Sequence, residues 1–466
     1  MSGSHLPLME EGMARWPFGP PNAGIALDFV GAPPALDELR ALVEERWKAL
    51  PRLTQILVAP GAASRTGLAW WTGRHRWASR DGHDLAQQVD SADATLRDAV
   101  RQWFHTPFPA ERPPWSLHLL RGATEGEFSL LFRMHHSLLD GRSLTTLLRA
   151  LLDGGEPLDG AASLAIPGPR RRMVSPGTTA GGPPGLLTTG RAVPLPHRGA
   201  REPAYRVVAL RADVLRAARE AVRTGGADSA RPATTNEVFL ATVSGVLRAC
   251  LSADAASDTA AAASGDAHGD GDGCGDGGDG GDGGDTVSGA RQVWLSVPVD
   301  ERPDDCGEFL GNAFANVRVP APVTLSDPTA RLSACTGLLT TVTRSRRTSE
   351  RLVEGTLAAL PAAILALAGG KIFAPAYAPA ACSYVHLRER GRTLAGRPLR
   401  HLTIVPMVPP ADTATFALGG CTQGHTLSVA TNSGSEDAVL LAQRFLDELS
   451  LLAEGSRRPD TARVRR

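Results

Sequence analysis

The stretch FSLLFRMHHSLLDGRSLTTLLRALL, residues 128–152, changes its hydrophobic period in the middle. Up to Met134 apolar residues alternate as in a strand, so Phe128, Leu130, Phe132 and Met134 share a face with His136. Ser129, Leu131, Arg133 and His135 take the other face. From Leu144 the spacing turns helical, with Leu147, Leu148 and Leu151 on one side. The histidines and Asp140–Gly141 between them therefore sit on a strand-to-helix loop, a place where function rests on a rigid support. Adjacent histidines here can be metal ligands, a polar close to a strand, or a base and its neighbour. Alternation sends the two imidazoles to opposite sides, and no third ligand follows at a metal-binding spacing. His136 ends an apolar column, where a polar group must be hydrogen-bonded or used.

Outward from the loop, GIALDFV (24–30) reads as a strand, and ALDELRALVEERWKAL (35–50) as a helix carrying Leu36, Leu39, Leu42 and Leu50. Residues 117–136 read as two strands around a Gly-containing turn. From 156 to 202 the chain is Pro/Gly-rich, which suits an extended or mobile inter-lobe linker; its Arg170–Arg172 run is a solvated charge patch before it is an anion contact. The organisation expected is thus an N-terminal lobe over 1–155, the linker, and a C-terminal lobe over 203–466. Strand and helix recur after 203, TTNEVFLATVSGVLRACL (234–251) is a helix, RQVWLSVPVD (291–300) a strand, and LLAQRFLDELSLL (440–452) a helix. Residues 252–289 interrupt this lobe with glycine-spaced aspartates, a solvated and disordered insertion by composition.

Bulk properties narrow the class. The 466 residues exceed one simple core, and 42% hydrophobic content fits a globular interior. Lys+Arg and Asp+Glu are both 49, so no global field draws the chain to nucleic acid. Six scattered cysteines without a C-x-x-C pair point to reduced thiols rather than zinc or a disulfide framework. The N-terminus has no signal-peptide pattern, and the apolar stretch from Thr356 contains Pro361 and is too short to span a bilayer. A cytoplasmic protein, or one peripheral at membranes or lipid inclusions, is expected.

The arrangement H-H-x-x-x-D-G at 135–141 resembles the signature of the chloramphenicol acetyltransferase-like superfamily, which also holds peptide-synthetase condensation domains. Further blocks resemble one branch, the bacterial wax ester synthase/diacylglycerol acyltransferase-like family. These are ALPRLTQILV (49–58), RPPWSLHLLRG (112–122), TTNEVFLATVSGVLRACL with Asn236, and LSVPVDER with FLGNAFANVRVP, which holds Gly311 and Asn312. Two segments depart from the family pattern, CSYVHLRER (382–390) and GCTQG (420–424), both near its acceptor side.

The resemblance implies an α/β (α+β) fold of two chloramphenicol-acetyltransferase-like lobes, each a mixed β-sheet flanked by helices, enclosing an active-site tunnel. It implies an acyl-CoA-dependent O-acyltransferase with no bound cofactor or metal, acyl-CoA or an acyl-carrier-protein thioester as co-substrate, and a hydroxyl acceptor. A neutral imidazole suits removal of the hydroxyl proton, and His136 is the candidate base, with His135 in support. By resemblance Asp140 anchors the loop through an arginine, while Gly141 permits the tight turn. Ser137, Asn236 and Asn312 are candidate oxyanion donors, although both asparagines suit a backbone-fixing role. Trp115 is either core or a lining of the acyl tunnel. Arg344, Arg346 and Arg347 read as a solvated face before a phosphate contact. An amide-forming condensation enzyme and a degenerate, lipid- or partner-binding member are the competing readings.

Overall fold

The computed structural model describes residues 6–60, 73–80, 84–103, 105–122, 124–164, 189–197, 201–224, 231–265, 292–302, 308–339, 373–389 and 391–455. The Arg170–Arg172 run, most of the Asp/Gly insertion, the apolar stretch from Thr356, the arginines at 344–347, Cys274 and Cys306 lie outside the described residues.

The first half contains α1 (Leu8–Ala14), β1 (Asn22–Val30), α2 (Leu36–Trp47), β2 (Gln55–Val58), β3 (Arg76–Ser79), β4 (Val89–Ala92), α3 (Leu96–Trp103), β5 (Trp115–Arg121), β6 (Glu127–His135) and α4 (Gly141–Leu151). The second contains β7 (Ala204–Leu210), α5 (Ala212–Glu220), β8 (Arg223–Thr224), β9 (Arg231–Pro232), α6 (Thr235–Gly265), β10 (Trp294–Asp300), β11 (Phe314–Pro320), α7 (Pro328–Cys335), β12 (Ala380–His386), β13 (Thr393–Leu394), β14 (Arg397–Val405), β15 (Ala414–Cys421), β16 (Gly424–Thr431) and α8 (Ser435–Gly455).

Two six-stranded sheets organise these elements, in the orders β13-β14-β1-β6-β5-β4 and β11-β10-β12-β15-β16-β7. Both are mixed: β4 runs parallel to β5, and β12 runs parallel to β10 and β15. Each carries its own core. Phe128, Leu130, Phe132 and Met134 of β6 join Leu39, Val43 and Trp47 of α2 and the leucines of α4 in the first. Val238, Phe239 and Val246 of α6 meet Leu441, Phe445 and Leu449 of α8 in the second. The opposite face of β6 is covered as well: Leu131 joins a small third cluster, and the Arg133 guanidinium lies 4.1 Å from the Phe108 ring.

The lobes are not contiguous in sequence. Strands β13 and β14 leave the second half and complete the first sheet, with β14 antiparallel to β1 from Gly24↔Val405 to Phe29↔Leu399. A flat period-2 pattern marks β14 as a strand but does not say which sheet edge it joins. Across the junction Thr426 Oγ1 donates to Leu402 O (2.7 Å), and the Tyr205 hydroxyl donates to Ile404 O (2.8 Å). Both described ends of the Pro/Gly-rich stretch are docked: Leu310 N–H reaches Ser163 O at 2.8 Å, and Gly190 N–H reaches Ala376 O at 2.7 Å. One described helical span, Thr235–Ala255, is long and apolar enough to cross a membrane, and 61% of its most apolar window is buried in the fold.

Candidate active site

Strand β6 ends at His135, and the chain turns through His136 and Ser137 before α4 begins. The turn is pinned at each step. His135 N–H donates to Pro114 O (2.9 Å), His136 N–H to Pro21 O (2.8 Å), and Leu138 N–H back to His135 O (2.9 Å). Asp140 caps α4, its Oδ1 accepting from Ser143 N at 2.8 Å, which satisfies a donor the helix start would otherwise leave free.

Asp140 also meets Arg302, delivered from the end of β10 by the second half of the chain. Arg302 Nη1 lies 2.8 Å from Asp140 Oδ2, and Nη2 lies 3.0 Å from Oδ1. The second carboxylate oxygen accepts from Ala313 N at 2.9 Å. Arg302 is fully buried and donates further to Asp300 Oδ1, Ser143 Oγ and Gly311 O. Both Asp140 oxygens are thus engaged away from His136, so the carboxylate holds the loop rather than receiving a proton from the imidazole. Ser143 closes the same knot: its hydroxyl donates to Gly311 O (2.8 Å) and accepts from Gly311 N (3.0 Å). Such a buried pair depends on the surrounding hydrogen bonds; both Arg302 Nη atoms and both Asp140 oxygens have theirs, while Arg302 Nε is buried without a partner.

The two imidazoles differ. His135 Nδ1 accepts from Ser137 N at 3.3 Å and lies 2.7 Å from Ser137 Oγ, which assigns its ring proton to Nε2. Burial, with His136 and His75 alongside, pushes its pKa down to about 3, so it stays neutral. His136 is also pushed below 6.5 by burial, opposed by its own carbonyl and the Asp140 charge. Its Nδ1 is buried and meets no partner in hydrogen-bond geometry. The ring lies 6.2 Å from the Phe314 ring of β11, so the second lobe supplies the wall facing it.

The other candidates separate. Asn312 Nδ2 donates to Ser137 O (2.8 Å) and His136 O (3.3 Å), so its donor is spent on backbone rather than offered to an oxyanion. The Ser137 hydroxyl is committed to His135. Trp115 is a core residue at 1% exposure, its indole N–H on Leu53 O (2.8 Å) and its ring stacked on Phe132, with no surface to line a tunnel. Asn236 stands in the first turn of α6, and among the described residues no hydrogen bond ties it to the histidine loop. Its neighbour Glu237 forms the capping box with Thr234. Gly141 adopts no left-handed backbone angle, contrary to the turn argument. A Cβ there would stand 2.8 Å from Val385 Cγ2, so the glycine is required by close approach of β12.

The two segments that depart from the family pattern pair in register, His386 beside Gly420 and Gly420 beside His425. The His386 and His425 rings come within 5.6 Å, and Tyr384 lies 6.1 Å from His386. Sequence reading missed Arg302, Ser143, Phe314 and the buried Glu10. Only Arg302 had a signal, as the arginine closing the LSVPVDER block. Among the described residues no three histidine, cysteine or acidic side chains converge as a metal site.

Residues 30–256 match the family model described as the wax ester synthase/diacylglycerol acyltransferase catalytic domain. A Mycobacterium tuberculosis protein named as a diacylglycerol O-acyltransferase is 27% identical over 146 residues, 29% of this chain and 29% of that protein. Wax ester synthase/diacylglycerol acyltransferase 2 of Arabidopsis thaliana is 32% identical over 109 residues, 22% of this chain and 21% of its own. The aligned stretches thus span less than a third of these relatives. The fold is shared end to end with the wax ester synthase/diacylglycerol acyltransferase from Marinobacter aquaeolei VT8, at TM-score 0.54 and 16% identity, covering 97% of this chain and 99% of that one. It is also shared with the first condensation domain of the calcium-dependent antibiotic synthetase, at TM-score 0.58 and 15% identity, covering 98% and 97%. Over residues 30–256 the chain is similar to the wax ester synthase/diacylglycerol acyltransferase catalytic domain, and the aligned relatives carry that family's names.

Proposed function

We propose that this protein is a thioester-dependent O-acyltransferase that uses His136 as a general base. The observation that carries the reading is the state of that imidazole. It is kept neutral by burial, stands on a loop locked by Asp140, Arg302 and Asn312, and faces Phe314 of the other lobe. A thioester is already activated, and its thiolate leaves without much proton donation. The harder step is deprotonating the acceptor hydroxyl as it attacks the carbonyl, which a neutral His136 imidazole performs near pH 7; such a base contributes about 10²–10⁴-fold. Acyl donor and acceptor meet in one ternary complex within a tunnel between the lobes. The new ester C–O bond forms as the C–S bond breaks, and the proton passes from the hydroxyl through His136 to the released thiolate. Acyl-CoA is the proposed donor, with a carrier-protein thioester as its chemical equivalent.

The test is direct incubation of the protein with acyl-CoA and panels of alcohols and amines, following free thiol and product mass. Ester formation that disappears in His136→Ala is the expected result. Amides formed only from carrier-bound donors would transfer the reading to condensation chemistry, which the shared fold also accommodates. Binding of acyl-CoA with no turnover of any acceptor would remove the enzyme reading.

A further inference from the structure

Glu10, on the short N-terminal helix α1, is buried at 1% exposure, far from any solvent counter-charge. A carboxylate so placed is costly unless its oxygens are occupied. Its Oε2 accepts from the Trp77 indole at 2.7 Å. Its Oε1 faces Arg52 Nη2 at 3.5 Å and the Asn312 backbone and side-chain amides at 3.4 and 3.5 Å. Glu11, the next residue, turns elsewhere, to His75 Nδ1 at 3.0 Å and to Arg15. Glu10 alone therefore looks toward the loop that carries His136.

The Asn312 amide is surrounded asymmetrically. Its Nδ2 is met by three oxygens, those of Ser137, His136 and Glu10, whereas its Oδ1 is buried with no partner. Turning the amide over would set its oxygen against two carbonyls and a carboxylate, so the orphaned Oδ1 is the lesser cost. The backbone carbonyls come with the loop, while the Glu10 carboxyl, which burial pushes up and Arg52, Trp77 and Asn312 hold down, is the added group that opposes the flip. One of the two carbonyls Asn312 holds is His136's own, the group that opposes burial in setting the imidazole's pKa.

We propose that Glu10 is a positioning residue for His136 that acts through Asn312, fixing the direction of the Asn312 amide and with it the loop backbone that orients the base. This rests on the acyl-transfer reading for its kinetic consequence only; the effect on the imidazole stands apart from turnover.

The experiment compares wild type, Glu10→Ala, Glu10→Gln, Asn312→Ala and the Glu10→Ala/Asn312→Ala double variant. Thermal unfolding first defines a temperature at which each is folded. With a thioester and hydroxyl acceptor that wild type turns over, Glu10→Ala should lose about tenfold or more in kcat with KM within about twofold, the size expected for an outer-shell orienting group. The double variant should be no worse than Asn312→Ala within about threefold, because two residues acting in series do not add. Glu10→Gln, which keeps an acceptor oxygen without the charge, should lie between Ala and wild type. ¹⁵N spectra of the His136 imidazole, recorded without substrate, should shift in the same direction in Glu10→Ala and Asn312→Ala. Losses that multiply, or His136 signals unchanged from wild type in folded Glu10→Ala and Glu10→Gln, overturn the proposal. If wild type turns over no acceptor, the acyl-transfer reading falls and the imidazole spectra alone decide the role of Glu10.

Discussion

A histidine pushed below its ordinary titration range remains a base in mildly acidic solution. His136 is so displaced by burial, and only its neutral form accepts the acceptor proton. Activity should therefore stay level as pH falls from 8 to about 6.5 and decline only below the usual imidazole value of about 6.5. A pH profile of kcat/KM whose acid limb has its midpoint at or above 6.5 would contradict this. Five residues past the base, at the head of α4, Gly141 is a matter of space. Gly141→Ala forces its Cβ onto the stiff β-branched Val385 and should cost about 1–3 kcal/mol of overpacking. Val385→Ala in the same chain should recover most of that loss in urea unfolding, and a purely additive double variant would show that space is not the reason.

Strands β13 and β14 show how an element is recruited by a lobe remote in sequence. Asp153, just past α4, accepts from Thr393 Oγ1 (2.6 Å), Ala395 N (3.0 Å) and Gly396 N (2.7 Å), fastening the hairpin to the first lobe. These bonds hold the Asp153 carboxyl below its usual value despite partial burial. Asp153→Ala leaves the turn donors unsatisfied and should destabilise the protein by about 2 kcal/mol. Amide exchange should rise first over 393–405, with the second core unaffected; uniform exchange changes would show that the clasp is not local. The GCTQG segment has a comparable physical reason: a Cβ at Gly420 would stand 2.6 Å from the His386 ring and 2.8 Å from the His425 ring. Glycine there permits the two imidazoles to approach.

The two sheets are joined across the whole molecule by β14 and by the Arg302–Asp140 knot. Replacing Arg302 by alanine leaves a buried carboxylate without its cation, and the expected loss is about 3–5 kcal/mol. Replacing both Arg302 and Asp140 by apolar residues should cost less than the single change, a comparison accessible by chemical denaturation. Several imidazoles are buried neutral: His118 is pushed down to about 4, His425 to about 4 and His135 to about 3, each chiefly by burial. In the unfolded chain these groups bind protons near pH 6.5, so below that value the unfolded state binds more protons than the folded one. Stability is then fully present above about pH 6.5 and lost progressively toward pH 4. The urea midpoint should fall between pH 7.5 and pH 5; an unchanged midpoint would mean these imidazoles are not held neutral.

The period switch at residues 128–152 was enough to establish a strand, a loop and a helix, because side-chain alternation and helical repeat are local properties of the chain. The H-H-x-x-x-D-G spacing located the loop for the same reason. Neither could supply what comes from a distance. Arg302 reaches Asp140 across 162 positions, and Asn312 reaches His136 across 176. Glu10 and Val385 stand in segments whose own patterns say nothing of the histidines. Trp115 and Ser137 looked available for substrate because sequence shows residue type without its partner, and in the fold both are already engaged. The lobe boundary failed similarly: β14 carries an ordinary strand pattern, and only packing against β1 commits it to the first sheet. Local periodicity writes elements into the sequence; charges buried together and edges chosen for pairing depend on which segments meet.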